Sequence, residues 1–385
     1  MRVFILSPTY PDSEFPAANI FVYEQAKELA NIGHEIIVLH VKRLPTNQVF
    51  LRIDKSIKTY NDGFSVRYCL LQKTIAESKY PLINKRAFIN SAEELYKYAV
   101  NEVGIPDVIY AHFSCWAGYA AGVLSQKYGI PVVTLEHYSG FVKEKKLPRT
   151  LKSCVEFTIE HSSAFLCVSD GLRRAICNNT NAQKEIQVVP NMISREFKYE
   201  KPIAHTGFVF LAIGRLTPQK DYKTLLKAFI MAFSSSETAY LRIGGDGPER
   251  SELEAYVKDH GRTHQIQFLG QLNRKDTVNE CINCDCFALS SAWETYGMVY
   301  REALVTGRPI ITTDHGGFSG TDWKDEYGFR VPIRNPEAFA DAMKRMVDHY
   351  NEFDGKRISE VCLEQCSPEV IVKRIERVLR KAIEK

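Results

Sequence analysis

Short, β-branched apolar runs alternate with amphipathic stretches along this 385-residue chain, and the alternation happens twice. In the first half the runs fall at 3–6, 36–39, 64–68, 108–110, 132–135, 165–168 and 186–189, with helical periodicity at 21–31, 87–100, 117–126 and 151–161. A strand with no polar alternation must be covered on both faces, and a helix between successive strands makes each connection a crossover. The pattern therefore predicts an α/β fold with a doubly wound parallel sheet. It resumes at 208–213, 240–243, 266–269, 286–289, 309–312 and 329–331, with helices at 223–233, 249–260, 298–305 and 336–349. A polar, proline-containing stretch separates the halves. The expected organisation is an N-terminal α/β domain over 1–190, a linker over 191–206, a C-terminal α/β domain over 207–365, and a closing segment 366–385 that packs back toward the first domain. Ser367 is placed to cap that last helix, with Pro368 at its first position. Two such Rossmann-like domains are expected to face each other across a cleft lined by strand carboxyl ends, where α/β sheets bind ligands.

Composition narrows the class. Apolar residues at 45% and charged residues at 25% describe a globular protein, and no window reaches the 18 apolar residues of a membrane span. The opening Met1-Arg-Val-Phe-Ile-Leu-Ser-Pro8 reads as a first strand and not as a signal peptide, so a cytoplasmic location is expected. Ten cysteines at irregular positions fit reduced thiols better than a disulfide framework, and Cys281, Cys284 and Cys286 lack the second Cys/His pair of a zinc site. A net charge of +4 permits phosphate or anionic-membrane affinity without demanding nucleic acid.

The stretch Glu294-Thr-Tyr-Gly-Met-Val-Tyr-Arg-Glu302 follows an apolar run, Cys286–Leu289, and a polar break. That is the order strand, loop, helix. A helix opening near Tyr296 and Gly297 directs its free N–H groups at whatever lies beyond the strand end, and they favour an anion. Glu294 on the loop and Glu302 inside the helix suit a ligand with hydroxyls at both ends and negative charge between, as in a nucleotide sugar. A surface helix carrying two solvated glutamates fits the same nine residues.

Gly214-Arg215-Leu-Thr-Pro-Gln-Lys220-Asp221 follows the first strand of the second half and precedes a helix, so Arg215 and Lys220 form a candidate anion site. Gly244-Gly-Asp-Gly-Pro248 reads as a tight turn that lets backbone approach a ligand or a neighbouring loop. Neither a Gly-x-Gly-x-x-Gly nor a Walker A sequence occurs. In the first half, His137 follows the strand at 132–135 and His112 follows the strand at 108–110. Either can donate a hydrogen bond to a phosphate or a sugar hydroxyl, and either can equally be a structural hydrogen-bonder. The long loop from Ser7 to Asn19 ends at a helix start, a usual place for function.

These motifs resemble, over nearly the whole chain, the nucleotide-sugar-dependent GT-B glycosyltransferases of family 4 (glycosyl transferases group 1). The resemblance is carried by Gly33-His34-Glu35, Val189-Pro190-Asn191, Gly214-Arg215 with Lys220, Gly244-Gly-Asp-Gly-Pro248, Phe268-Leu-Gly270, and Glu294 and Glu302 with seven residues between. It implies a retaining, metal-independent transferase of the hexosyltransferase class. Glu294 would bind hydroxyls of the donor sugar and Glu302 the ribose. Arg215 and Lys220 would hold the diphosphate with backbone around Tyr296, Gly297, Met298 and Val299, while Gln271 and Leu272 would lie against the base. His137 would lie near the sugar and diphosphate, so the catalytic set implied is His137, Glu294, Arg215 and Lys220. The family's glycine-rich first loop is replaced here by Phe15-Pro-Ala-Ala-Asn19. Asn19 is the non-glycine residue type that best tolerates a left-handed backbone.

The family habit implies front-face attack, with the departing phosphate accepting the acceptor's proton, so Glu294 is a binder and not a nucleophile. No Asp-x-Asp triplet is present to bridge a metal, and no cofactor is expected. The donor implied is a UDP-sugar, with a GDP-sugar next. The acceptor implied is a glycan or a lipid-linked hydroxyl in cell-surface polysaccharide or glycolipid assembly. Two basic runs, Lys73, Lys79, Lys85, Arg86 and Lys143, Lys145, Lys146, Arg149, Lys152, suit an anionic membrane surface on the cytoplasmic side. A nucleotide-sugar epimerase of the same architecture would turn over donor without acceptor, and a non-catalytic two-lobed binding protein would be indifferent to Glu302→Gln.

Overall fold

A computed structural model describes residues 1–11, 19–45, 57–58, 68–77, 81–143, 146–202, 205–318 and 323–384. The chain divides into two compact units, Met1–Met192 with Pro368–Lys385, and Ile193–Ser367.

In the first unit, β1 (Arg2–Ser7), β2 (Glu35–Pro45), β3 (Ile57–Lys58), β4 (Tyr68–Glu77), β5 (Val108–His112), β6 (Val132–Glu136), β7 (Ala164–Cys167) and β8 (Ile186–Val188) make one sheet, ordered β3-β4-β2-β1-β5-β6-β7-β8. All pairings are parallel except β3 on β4. Helices α1 (Ile20–Asn31), α2 (Pro81–Val103), α3 (Tyr119–Tyr128), α4 (Gly140–Lys143), α5 (Arg149–His161) and α6 (Asp170–Asn179) connect them. The second unit has β9 (Phe208–Ile213), β10 (Ala239–Gly244), β11 (Ile266–Gly270), β12 (Cys286–Leu289), β13 (Ile310–Thr313) and β14 (Gly328–Val331) in the order β11-β10-β9-β12-β13-β14, all parallel. Its helices are α7 (Tyr222–Ala232), α8 (Arg250–Asp259), α9 (Arg274–Ile282), α10 (Met298–Val305), α11 (Pro336–Asp348) and α12 (Gly355–Cys366). The last helix, α13 (Pro368–Ile383), packs on α1, β5 and β6 of the first unit.

The central strands are apolar on both faces because helices cover both: Val3 to Leu6 in β1 and Phe287 to Leu289 in β12 are wholly buried. The doubly wound α/β architecture predicted for each half is what forms. Of the strand expected at 64–68, residues 64–67 lie outside the described residues, and β4 runs onward from Tyr68. Helices α6 and α12 were not expected. Helix α9 buries only Cys281, and α6 only Leu172 and Ile176, which is too thin an apolar stripe to read as periodic.

Part of the stretch expected as a linker is packed, and the division between the two units falls within it, at Met192/Ile193. Met192, Ile193 and Phe197 are buried, and the Ile193 N–H donates to the Cys366 carbonyl at 2.9 Å. Apolar residues interleaved with Ser194, Arg195 and Glu196 make the stretch polar in composition yet anchored in position.

Each sheet reverses its direction of winding once, between β1 and β5 and between β9 and β12. Loops leaving the two strands at such a switch point splay apart, and the crevice between them is the usual ligand site of an open α/β sheet. Three loops at these points enter their helices through a left-handed residue: Asn19 (φ 47°) before α1, Asp221 (φ 48°) before α7 and Gly297 (φ 77°) before α10. Asn, Asp and Gly are the residue types that tolerate this backbone.

Candidate active site

In the second unit the switch-point loops follow β9 and β12. The β9 loop is held against the turn after β10. The Gly214 N–H donates to the Gly244 carbonyl at 3.0 Å and the Leu216 N–H to that of Asp246 at 2.9 Å. A Cβ on Gly245 would lie 2.1 Å from the Gly214 oxygen, and one on Gly247 would lie 2.3 Å from the Leu216 oxygen. The Gly244–Pro248 turn thus uses its bare backbone to seat a neighbouring loop, one of its two expected roles. The two switch-point loops are joined in turn: the Ala292 N–H donates to the Gln219 carbonyl at 2.8 Å, Gln219 Nε2 to the Trp293 carbonyl at 3.1 Å, and Ser290 Oγ to the Asp221 carbonyl at 2.6 Å.

That lacing delivers Lys220 to Glu294. The ammonium donates to Glu294 Oε1 at 2.5 Å, and Ser291 Oγ donates to the same oxygen at 2.8 Å. Burial pushes the Glu294 pKa up, but the Lys220 charge and the hydrogen bonds from Lys220 and Ser291 outweigh it and hold the carboxyl below its ordinary range. His315 supports the loop from behind, its carbonyl accepting from the Glu294 N–H at 3.3 Å. Its Nδ1 accepts from the Gly317 N–H at 3.0 Å, so its proton sits on Nε2, 3.0 Å from Thr312 Oγ1. Burial lowers the His315 pKa to about 4, and the ring is neutral at pH 7.

Helix α10 begins at Met298 with Gly297 as its left-handed cap, and its first-turn N–H groups lack helical partners by construction. Met298 and Val299 are partly buried in that turn. The Tyr296 ring faces inward, 2% exposed, with the Arg301 guanidinium 3.6 Å over its centre and 4.1 Å over that of Phe318. Glu302, one turn further on, is 5% exposed and receives Arg274 Nη1 on Oε1 at 2.7 Å. Burial raises the Glu302 pKa, and Arg274 opposes that rise. Arg215 is exposed on the β9 loop, Gln271 is exposed beyond β11, and Leu272 lies beneath it against Gly244, where a Cβ would come 2.5 Å from Leu272 Cδ1. Cys281, Cys284 and Cys286 are buried, and burial pushes the Cys284 thiol up to about 12.

In the first unit, Asn19 adopts the left-handed conformation and its Nδ2 donates to Thr9 Oγ1. Residues 12–18 of that loop lie outside the described residues. At the ends of β5 and β6, the alternatives His112 and His137 are found together: His112 Nδ1 and His137 Nε2 are 3.1 Å apart. Both rings are buried, His137 stacking on Phe21 at 4.3 Å. Burial lowers the His112 pKa to about 3, and burial and then His112 lower that of His137 well below the ordinary value, so the pair is neutral at pH 7. Neighbouring Glu136 is buried and satisfied, accepting from the N–H groups of Ser114, His137 and Tyr138 at 2.8–2.9 Å and from Ser114 Oγ. Of the basic runs, Lys79 and Lys145 lie outside the described residues. Lys85 sits 3.5 Å over the Tyr119 ring, Lys152 pairs with Glu156 at 3.8 Å, and Arg86, Lys146 and Arg149 are exposed.

Sequence reasoning missed Arg274, Ser291 and His315. For Arg274 a signal was present: Asn273 followed by Asp276 is a helix-start pair, and it places Arg274 at the first position of α9.

The switch-point loops of the second unit thus carry a Lys–Glu pair, a left-handed helix cap and a second buried glutamate. The family described as Glycosyltransferase Family 4 matches residues 18–197, and that described as Glycosyl transferases group 1 matches residues 194–359. The chain belongs to this family. It is 28% identical over 219 residues to the uncharacterized glycosyltransferase YqgM of Bacillus subtilis, covering 55% of this chain and 60% of that protein. It is 25% identical to the N-acetyl-alpha-D-glucosaminyl L-malate synthase of Bacillus anthracis over 92% of this chain and 91% of that one. The solved structure of HepE from Anabaena, in complex with UDP and glucose, superposes over 99% of this chain and 100% of that chain, with a TM-score of 0.73 and 15% identity. Among the described residues no helix is long and apolar enough to cross a membrane.

Proposed function

We propose that this glycosyltransferase moves a sugar from a nucleotide-sugar donor, a UDP-sugar before a GDP-sugar, to a hydroxyl of a glycan or lipid-linked acceptor, with retention of configuration. The observation that carries the reading is the partly buried Lys220–Glu294 pair beside the start of α10. In it a cation and helix N–H groups lie next to a hydroxyl-accepting carboxylate, which matches the phosphate and sugar ends of one ligand. The Anabaena neighbour's complex with UDP and glucose supports the donor class.

In this reading Arg215, Lys220 and the N–H groups after Gly297 stabilise negative charge growing on the leaving diphosphate, where fixed dipoles and cations lower a barrier most. The bond from the anomeric carbon to the phosphate oxygen breaks while the acceptor oxygen bonds to that carbon on the same face, and the acceptor's proton passes to the departing phosphate. Glu294 holds sugar hydroxyls and Glu302 accepts from the ribose.

The reading includes no divalent requirement: transfer persists in EDTA, and loss in EDTA with rescue by magnesium or manganese overturns that part. It also includes an anionic surface as partner for the first unit's basic residues, checked by co-sedimentation with anionic vesicles at low salt. The deciding experiment is a panel of UDP- and GDP-sugars tested by thermal shift and by nucleotide release with and without glycan acceptors. One donor stabilises the protein and releases nucleotide faster with acceptor present, whereas turnover of donor with no acceptor dependence contradicts the proposal.

A further inference from the structure

Glu302 stands apart from the other site residues because it projects from within α10, where a carboxylate 5% exposed has little water to keep it charged. Its charged partner is Arg274, Nη1 to Oε1 at 2.7 Å, a residue outside the motifs singled out in the sequence. The placement of Arg274 is fixed from two sides. It opens α9, where Asn273 caps the helix by accepting the Asp276 N–H at 2.9 Å, and the guanidinium lies 4.5 Å over the Phe197 ring. An arginine stacked on an aromatic face and bonded to a carboxylate has little freedom to turn. The carboxylate it holds is in turn limited to the orientation that α10 and Arg274 allow together.

An ionised carboxylate only accepts hydrogen bonds and offers about four lone-pair directions. With Arg274 on Oε1, the remaining directions suit two vicinal hydroxyl donors. We infer that Arg274 is a positioning residue for nucleotide recognition, which fixes Glu302 as an acceptor for the two ribose hydroxyls of the donor. This rests on the reading of Glu302 as the ribose residue.

The test compares nucleotides with and without those hydroxyls. The full-length chain, with Arg274→Ala, Arg274→Lys, Glu302→Gln and the Arg274→Ala/Glu302→Gln double variant, is titrated calorimetrically with UDP and 2′,3′-dideoxy-UDP, and with GDP and its dideoxy form. Losing hydrogen bonds to a charged acceptor costs about tenfold in affinity, so the wild type prefers the ribose form of its nucleotide by about that factor. Arg274→Ala loses most of this preference while binding the dideoxy form within about twofold of the wild type, and it adds nothing further in the Glu302→Gln background. Arg274→Lys keeps the charge without the fork and falls between, and it carries the test if the alanine variant does not fold. Equal weakening of ribose and dideoxy forms, or an undiminished preference, in the Arg274 variants overturns the inference. If Glu302→Gln keeps the full preference, or the wild type binds neither nucleotide, the ribose reading fails and takes the inference with it. Loss of preference in Glu302→Gln alone defeats only the role of Arg274.

Discussion

Lys220 and Glu294, 74 residues apart in sequence, meet at 2.5 Å because the loops after β9 and β12 are laced together at the point where the sheet reverses. Neither residue is placed by its own loop alone. Lys220→Met leaves a buried carboxylate without its cation, and breaking such a pair costs about 3 kcal/mol in chemical denaturation. Changing both, in Lys220→Met/Glu294→Gln, costs less than the sum of the single changes, because the glutamine needs no counter-charge. Additive losses contradict the pairing.

The same pair marks how far the sequence reaches. Strands β9 and β12 and helix α10 were legible to the residue, since apolar runs covered on both faces and a glycine before a helix leave local traces. The spacing of Glu294 and Glu302, and Lys220 ahead of α7, were legible through motif order. Asn19 was legible through its tolerance of a left-handed backbone, which the structure shows. Ser291, His315 and Arg274 were not, because their partners come from other loops and helices, and α9 buries too little to declare which way its first residue points. The packing of 192–197 within the expected linker was hidden by polar composition, with Ile193 and Phe197 carrying the anchoring.

Stability of the backbone behind the site depends on Arg308. The side chain is wholly buried and donates to carbonyls of four residues, Glu200, Ile282, Cys284 and Thr306, tying the end of α9 and the turn before β13 to the segment ahead of β9. Arg308→Met keeps volume and strands those acceptors, and at about 1 kcal/mol or more for each unsatisfied buried group it lowers stability by about 3 kcal/mol. Urea denaturation checks this, and a change under about 1 kcal/mol contradicts it.

Gly245 tests the seating of the β9 loop. It has φ 125° and faces the Gly214 carbonyl, which a Cβ would meet at 2.1 Å, so Gly245→Ala must displace that loop. The expected result is about 1–3 kcal/mol of lost stability together with weaker nucleotide binding. Unchanged affinity shows that Lys220 is held by other means.

Stability falls as pH drops from 7.5 to 5.5. His112, His137 and His315 have folded pKa values below 6.5, two of them about 3 and about 4, so the unfolded chain binds more protons in this window. Their contribution is present above pH 6.5 and is lost as pH falls toward the folded values. The raised carboxyls Glu280, Asp285 and Glu302 act in the opposite sense, beginning from 4.5 and 3.8 at the acid end of the range. Denaturation at the two pH values decides it, and equal or greater stability at pH 5.5 contradicts the burial of neutral imidazoles.

The division of labour between the two glutamates is the centre of the account, and one paired measurement addresses it: nucleotide affinity by calorimetry and sugar transfer by product formation, for Glu294→Ala and Glu302→Ala side by side. The account predicts that Glu302→Ala weakens nucleotide binding by about tenfold. It predicts that Glu294→Ala lowers transfer by about a hundredfold or more while binding the free nucleotide nearly as the wild type does. The reverse pattern, or equal effects on both quantities from both substitutions, contradicts it.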